Sequence, residues 1–186
     1  SVTQQMSEIE TIIYLGNVPQ LTSIIESQAA LNIGAAVSYQ DCYALIKGQY
    51  PEFANMLNRL GSAQVRNLGT LGGNIGNASP IGDVAPVLLV LDGKLTLNQQ
   101  QQQRQIAVSD FFIDYKVTSL QKGEFIEAIE IPKSDQDYQL KVFKISKRLD
   151  DDISTVLGCF YVKLDDNKIA DIRIAFGGMA GIPKRA

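Results

Sequence analysis

Residues Gly69 to Asp83 read GTLGGNIGNASPIGD, and five of these fifteen residues are glycine. Glycine raises the entropic cost of ordering a backbone, so a dense run inside a chain otherwise rich in apolar residues constrains what can surround it. Side-chain-poor turns let the backbone approach a ligand and adopt positive φ, and their bare N–H groups form concave sites for anions such as phosphate. Thr70, Asn74, Asn77 and Ser79 add hydroxyl and amide groups, and Pro80 stiffens the exit. Asp83 is placed either to cap the next helix or to accept hydrogen bonds from a ribose. A nucleotide diphosphate and its sugar suit this inventory; a plain glycine-rich connector has the same composition. The run is not a P-loop, since no Gly-Lys-Ser/Thr follows, and it lacks the strand-first setting of the dinucleotide fingerprint.

Composition narrows the chemistry. The 186 residues suit one domain, or one plus part of a second, and 45% hydrophobic with 20% charged residues is enough for a core. A net charge of −3 argues against nucleic acid as a partner. No apolar run approaches the roughly 20 residues of a membrane span, and the opening SVTQQMSEIE does not resemble a signal peptide. A cytoplasmic protein with two reduced thiols, Cys42 and Cys159, is the expectation. Two lone cysteines and no histidine make neither an iron–sulfur nor a typical zinc site, and histidine-based acid–base catalysis is absent. Chemistry carried out by this chain therefore calls for a bound organic cofactor.

Along the chain, Thr11–Gly16, LTSIIES and LNIGAAVS read as strands. Ser38 or Asp41 caps a helix through CYALIKG that stops at Gly48, and Pro51 opens a second helix ending at Gly61. Asp83 caps VAPVLLVLDG, KLTLN is a strand, and Ser109 caps a helical turn, DFFIDY. The glutamine tract Gln99–Gln103 with Arg104 and Gln105 reads as a solvated hairpin or loop without function. EFIEAIEIP is a strand with imperfect alternation, and three more strands follow, the last two joined by a turn at Asp165-Asp166-Asn167. The texture changes near Pro132–Tyr138 from mixed helices and strands to an antiparallel meander. The expected organisation is α+β, with domains at 1–136 and 137–186. The second sheet lacks a closing helix, which points to a longer parent protein.

The string QVRNLGTLGGNIGNASPIGDVAPVLLVLDGKLTL closely resembles the FAD-binding segment of the molybdenum hydroxylases. The likeness continues through GEFIEAIEIP and FKISKRLDDDISTV to RIAFGGMAGIPKRA, covering most of residues 55 to 186, and its wording is most similar to bacterial xanthine dehydrogenase. It implies a PCMH-type FAD-binding domain followed by the start of an antiparallel C-terminal domain. It also implies an oxidoreductase flavin part that passes electrons from 2Fe–2S clusters through FAD to NAD⁺, in purine metabolism. Molybdopterin and the clusters would reside on other domains or chains, in a hetero-oligomer. Aldehyde or carbon monoxide dehydrogenase subunits, or a flavin-less structural subunit, are the alternatives.

Residue roles follow from the resemblance alone. Thr70, Gly73, Asn74, Asn77 and Ser79 would contact the diphosphate and ribityl chain, and Asp83 the adenosine end. Ile126 would pack on the isoalloxazine ring, Lys144 would reach its polar edge, and Leu60 stands where some members place an aromatic residue. Arg148, Asp151 and Asp152 would lie in a loop that controls NAD access and tunes the flavin. Each has a plainer reading: Leu60 and Ile126 as core, Lys144 as a solvated strand residue, and the Lys147–Asp152 run as an exposed charge cluster. No residue is expected to act as acid, base or nucleophile, and no metal ligands are expected. The family's first glycine-rich loop, its four-cysteine 2Fe–2S domains and the end of its C-terminal domain are not found in the sequence. Each lost hydrogen bond to a phosphate is worth roughly 1.5–3 kcal/mol. The expectation is a fragment that is inactive alone and colourless or only partly flavinated.

Overall fold

The structure, a computed structural model, describes residues 10–11 and 13–186. Among them, β1 (Ile24–Glu26), β2 (Ala30–Gly34), β3 (Lys94–Gln99), β4 (Gln102–Ala107) and β7 (Phe125–Pro132) form an antiparallel sheet in the order β1-β2-β7-β3-β4. A short hairpin, β5 (Phe112–Asp114) with β6 (Val117–Thr118), follows a 3₁₀ turn at Val108–Asp110. A second antiparallel sheet contains β8 (Tyr138–Ile145), β9 (Val156–Asp165), β10 (Lys168–Gly177) and β11 (Lys184–Arg185), ordered β11-β10-β9-β8. The α+β organisation read from the sequence is the one found.

Among the described residues five helices complete the fold: α1 (Tyr39–Gln49), α2 (Pro51–Asn58), α3 (Ala63–Leu68), α4 (Leu71–Gly76) and α5 (Val84–Val90). Ser38 caps α1 by accepting the Asp41 N–H at 3.0 Å, and Pro51 occupies the first position of α2. Gly48 does not stop α1, which continues through Gln49 to a cap at Tyr50. All seven residues of α5 are buried. That helix packs against β9, β10 and β11 and supplies the apolar layer beneath the second sheet. At its C-terminal end, Asp92 at φ +53 accepts from Arg173 and Arg185, at 2.5 Å each. The same guanidinium groups donate to the Val90 and Leu89 carbonyls at the end of the helix.

Several local readings are corrected. The stretch Thr11–Gly16 forms no strand among its described residues, and Ile13 and Tyr14 are exposed; Ile12 lies outside the described residues. The DFFIDY stretch is not a helical turn capped by Ser109, because the 3₁₀ turn starts at Val108 and Phe112 begins a strand. The PKRA end adds β11 to what reads in the sequence as a three-stranded sheet. The outer face of that sheet carries Phe143, Phe160 and Phe176 in an edge-to-face row, with Phe143 and Ile145 more than half exposed.

The imperfect alternation of β7 has a cause. Thr96 pairs with Ala128 but Leu97 pairs with Ile126, so Glu127 is the extra residue of a β-bulge. The bulge reverses the two-residue parity and puts Ile126 on the same face as Ile129 and Ile131, toward the helices.

Candidate functional site

The glycine-rich run is a helix, not a loop. Residues Leu71–Gly76 form α4, capped by Thr70, whose hydroxyl accepts the Gly73 N–H at 2.9 Å. Its amides are already committed: Asn74 donates to Thr70, Asn77 to Gly73, Ala78 to Ile75 and Gly82 to Ser79. None of the run's five glycines has positive φ; the left-handed residue of the segment is Ala78, at φ +48. No positive-φ glycine turn forms in the run, and the glycines serve space. A Cβ on Gly72 would fall 2.5 Å from the Cβ and carbonyl oxygen of Ala35, so this glycine seats α4 against the end of β2. A Cβ on Gly76 would meet only Ile126 Cδ1 at 3.6 Å, and on Gly73 only Thr70 Oγ1 at 3.0 Å. Those two glycines open onto a cavity.

Two cavities flank α4. The first, of about 400 Å³, is the more polar of the two: Asn74, Asn77, Ser79, Asp83 and Lys144 line it beside apolar Leu60, Val65, Ile81 and Ile153. Asp151 and Asp152 stand at its edge. The second, of about 380 Å³, is mostly apolar and is lined by Thr70, Gly73, Gly76 and Ile126, with Leu120 and Phe125 opposite. Eight of the twelve residues singled out in the sequence thus share one cavity and three share the other. Arg148 lines neither and is exposed.

The polar cavity has a buried charge at its base. Lys144 Nζ donates to Asp83 Oδ2 at 2.7 Å, with side chains 3% and 7% exposed, and Ser154 donates to Asp83 Oδ1 at 2.5 Å. Lys144 is not a solvated strand residue, and Asp83 does not cap α5 through its side chain. Asn74 accepts the Val84 N–H instead, at 3.4 Å. This pairing also breaks two expected roles. The resemblance puts Asp83 and Lys144 at opposite ends of FAD, yet they touch. It puts Lys144 and Ile126 together at the isoalloxazine ring, yet they line different cavities.

The acidic loop between β8 and β9 is anchored at both ends. Arg59 donates to the Lys144 carbonyl at 3.1 Å and to Ser146 Oγ at 3.4 Å, and Ser146 donates to the Arg148 carbonyl at 2.6 Å. Asp83 holds Ser154 at the far end. The two aspartates have different work. Asp152 accepts the Arg148 and Ile153 N–H groups, at 2.8 and 3.0 Å, and these bonds hold its carboxyl below the usual range. Asp151, at φ +50, makes no such bond and is exposed.

Nothing in the sequence marks Arg59, Ser146 or Ser154, because each acquires a role only through a partner distant in the chain. The same holds for Tyr39, whose phenol burial pushes up to about 12 against a hydrogen bond from Asn74. Burial raises both thiols, Cys42 to about 12, which keeps them protonated and unreactive. Among the described residues no three His, Cys, Asp or Glu groups converge as metal ligands. No described helix is long and apolar enough to cross a membrane.

On the apolar cavity, Arg104 donates to Glu124 through Nε at 2.7 Å and Nη2 at 2.8 Å. That fork, with the Gln121 N–H at 2.7 Å, holds the Glu124 carboxyl down at about 2. A depressed folded pKa gives a contribution that is present above the ordinary value of 4.5 and lost as pH falls through about 2. Carboxyl resonances followed by NMR are expected to show Glu124 still ionised at pH 4 (roughly the ordinary Glu value). In Arg104→Ala the same resonance should titrate at a higher pH, with only the Gln121 N–H left to hold the carboxylate.

Comparison with known proteins agrees with this architecture. The chain superposes on carbon monoxide dehydrogenase from Hydrogenophaga pseudoflava with a TM-score of 0.85 and 23% identity, over 90% of this chain and 59% of that one. Quinoline 2-oxidoreductase from Pseudomonas putida 86 gives 0.82 and 22%, over 92% and 60%. At these identities the likeness defines the fold: a helix-and-sheet domain joined to a second antiparallel sheet. The family profile described as the FAD binding domain in molybdopterin dehydrogenase matches residues 1–134, and the CO dehydrogenase flavoprotein C-terminal domain matches 141–186. The glyceraldehyde dehydrogenase medium chain of Sulfolobus acidocaldarius is 32% identical over 177 residues, 94% of this chain and 62% of that protein. The xanthine dehydrogenase of Emericella nidulans is 30% identical over 181 residues, 90% of this chain and 13% of that protein. The chain belongs to the FAD-binding family of the molybdopterin dehydrogenases, an oxidoreductase family, and spans less than two thirds of the length of these relatives.

Proposed function

We propose that this chain is the flavin part of a xanthine dehydrogenase-like molybdenum hydroxylase, relaying electrons from 2Fe–2S clusters through FAD to NAD⁺ in the cytoplasm. Residues 1–136 would form the FAD-binding domain and 137–186 the start of the C-terminal one. The molybdopterin subunit and cluster domain would be its partners in a hetero-oligomer. The observation that carries the reading is the pair of cavities at α4, the apolar one opened by Gly73 and Gly76, whose Cβ atoms would enter it. The residues fit FAD. An isoalloxazine pyrimidine edge needs both donors and acceptors, and the polar cavity offers Asn77, Ser79 and the Asp83–Lys144 pair. An adenine presents two apolar faces and suits the cavity walled by Ile126 and Leu120. The linking diphosphate would cross α4 near Thr70, Gly73 and Asn74. Asp83 and Ile126 thus exchange the ends of the cofactor that the sequence resemblance implied for them.

FAD, when bound, supplies the two-electron chemistry. The chain's residues bind, orient and tune. Leu60 and Ile153 wall the polar cavity, and Lys144 presents positive charge whose field Asp83 balances. Asp151 faces the same cavity with an unbalanced negative charge, which disfavours an anionic reduced cofactor.

Asp151→Asn is expected to raise the flavin potential by about 20 mV, the equivalent of roughly 1 kcal/mol at an exposed site, with the loop unchanged. Asp152→Asn should instead speed amide exchange at Arg148 and Ile153. Redox titration and hydrogen exchange check the pair, and equal potentials in wild type and Asp151→Asn would remove the tuning role. Function is tested by titrating the chain with FAD and by assaying xanthine-dependent NAD⁺ reduction in the complete complex. A second reading, the flavin subunit of an aldehyde-oxidising enzyme, is favoured by the 32% identity to a glyceraldehyde dehydrogenase medium chain. Aldehyde-dependent reduction without xanthine turnover would select it. Absence of FAD from the complete complex would select a flavin-less structural subunit.

A further inference from the structure

The hairpin that carries the glutamine tract ties down the segment walling the apolar cavity. Gln100 and Gln101, at φ +49 and +72, make the two-residue turn between β3 and β4, and alternation along β4 separates its side chains. Gln103 and Gln105 point to the outer face, where they donate to Glu127 and Glu130 at 2.8 and 3.1 Å. Arg104 sits on the inner face, across Leu97 from Ile126. From there its guanidinium reaches the segment joining β6 to β7, donating to both Glu124 oxygens and, at 2.9 Å, to the Ser119 carbonyl. That segment has no regular structure, turns at Gly123 with φ +85, and places Leu120, Glu124 and Phe125 on the cavity wall. The Glu124 side chain is only 6% exposed, so its carboxylate depends on Arg104, the Gln121 N–H and little else. Gln99 ties the same segment at 2.8 Å through the Lys122 carbonyl.

We propose that Arg104, carried by the glutamine hairpin, is a positioning residue that sets the wall of the adenine-side cavity through its fork on Glu124 and Ser119. The inference rests on the reading that the apolar cavity takes the adenine half of FAD. It makes the hairpin part of cofactor recognition, where the sequence suggested a solvated insertion. Without the guanidinium, the Glu124 carboxylate turns to solvent and the wall opens. Only the adenine half should register this, since the polar cavity lies on the other side of α4.

The test titrates the full chain with FAD and with FMN, which lacks the adenylate, by flavin fluorescence. Arg104→Ala should weaken FAD about tenfold, the loss of one charge-assisted anchor. FMN affinity should stay within about twofold on the same reckoning. Amide exchange should quicken at 119–124, and the exchanged pair Arg104→Glu with Glu124→Arg should recover part of the loss. Unchanged FAD affinity in Arg104→Ala, or an equal fall for FMN, overturns the positioning role. Gly76→Leu, which fills the cavity itself, separates the two levels of inference. If it abolishes FAD binding while Arg104→Ala does nothing, the cavity reading stands and the positioning role falls. If Gly76→Leu leaves FAD binding intact, both fall.

Discussion

Lys144→Met is expected to cost about 3–5 kcal/mol of unfolding free energy, the usual result of leaving one member of a buried pair without its partner. For a chain of this size that corresponds to a fall in Tm of about 10 °C. The reason is geometric: both side chains are almost fully excluded from solvent, and Asp83 would retain only Ser154. The double variant Asp83→Leu with Lys144→Met should recover most of the loss, because an apolar pair of similar volume replaces buried charge at little net cost. It should nevertheless fail to hold FAD, since the donor and acceptor of the polar cavity are gone. Thermal denaturation with flavin titration checks both halves. A single-variant loss below about 1 kcal/mol would mean that the pair behaves as a solvated one.

Gly72 and Gly76 should respond oppositely to the same added methyl group. Gly72→Ala forces a Cβ to 2.5 Å from the Ala35 backbone and side chain, where nothing flexible can yield. A cost of about 1–3 kcal/mol is expected, that of overpacking a close helix seat. Gly76→Ala meets only a methyl at 3.6 Å and should be neutral or stabilising by up to about 1 kcal/mol. Gly76→Leu should keep a native Tm and lose FAD. Parallel melting curves for the three variants, with FAD titrations, read the contrast directly. Equal destabilisation by both alanines would show that the two glycines share one packing role.

Much of the local structure was legible because its causes are local. Ser38 and Pro51 start their helices by satisfying or lacking a first-turn N–H. Asp166 and Asn167 turn β9 into β10 at φ +47 and +60. The glycine run misled for an equally physical reason: its composition fits a phosphate turn and a helix pressed against a neighbour equally well. Only the neighbour, Ala35, separates the two. Glu127 hid similarly, since a bulge is a relation between strands and leaves in one strand only a fault in alternation.

The sequence by itself settled the family and the alternation of helix with strand, and it singled out the residues that gather around α4. Tertiary structure decided how that set divides into two cavities and which charge meets which. Asp83 finds Lys144 at a separation of 61 residues and Ser154 at 71. Such pairings depend on how α5 seats beneath the second sheet. Periodicity records which face of an element is apolar; it does not record what the opposite surface will present.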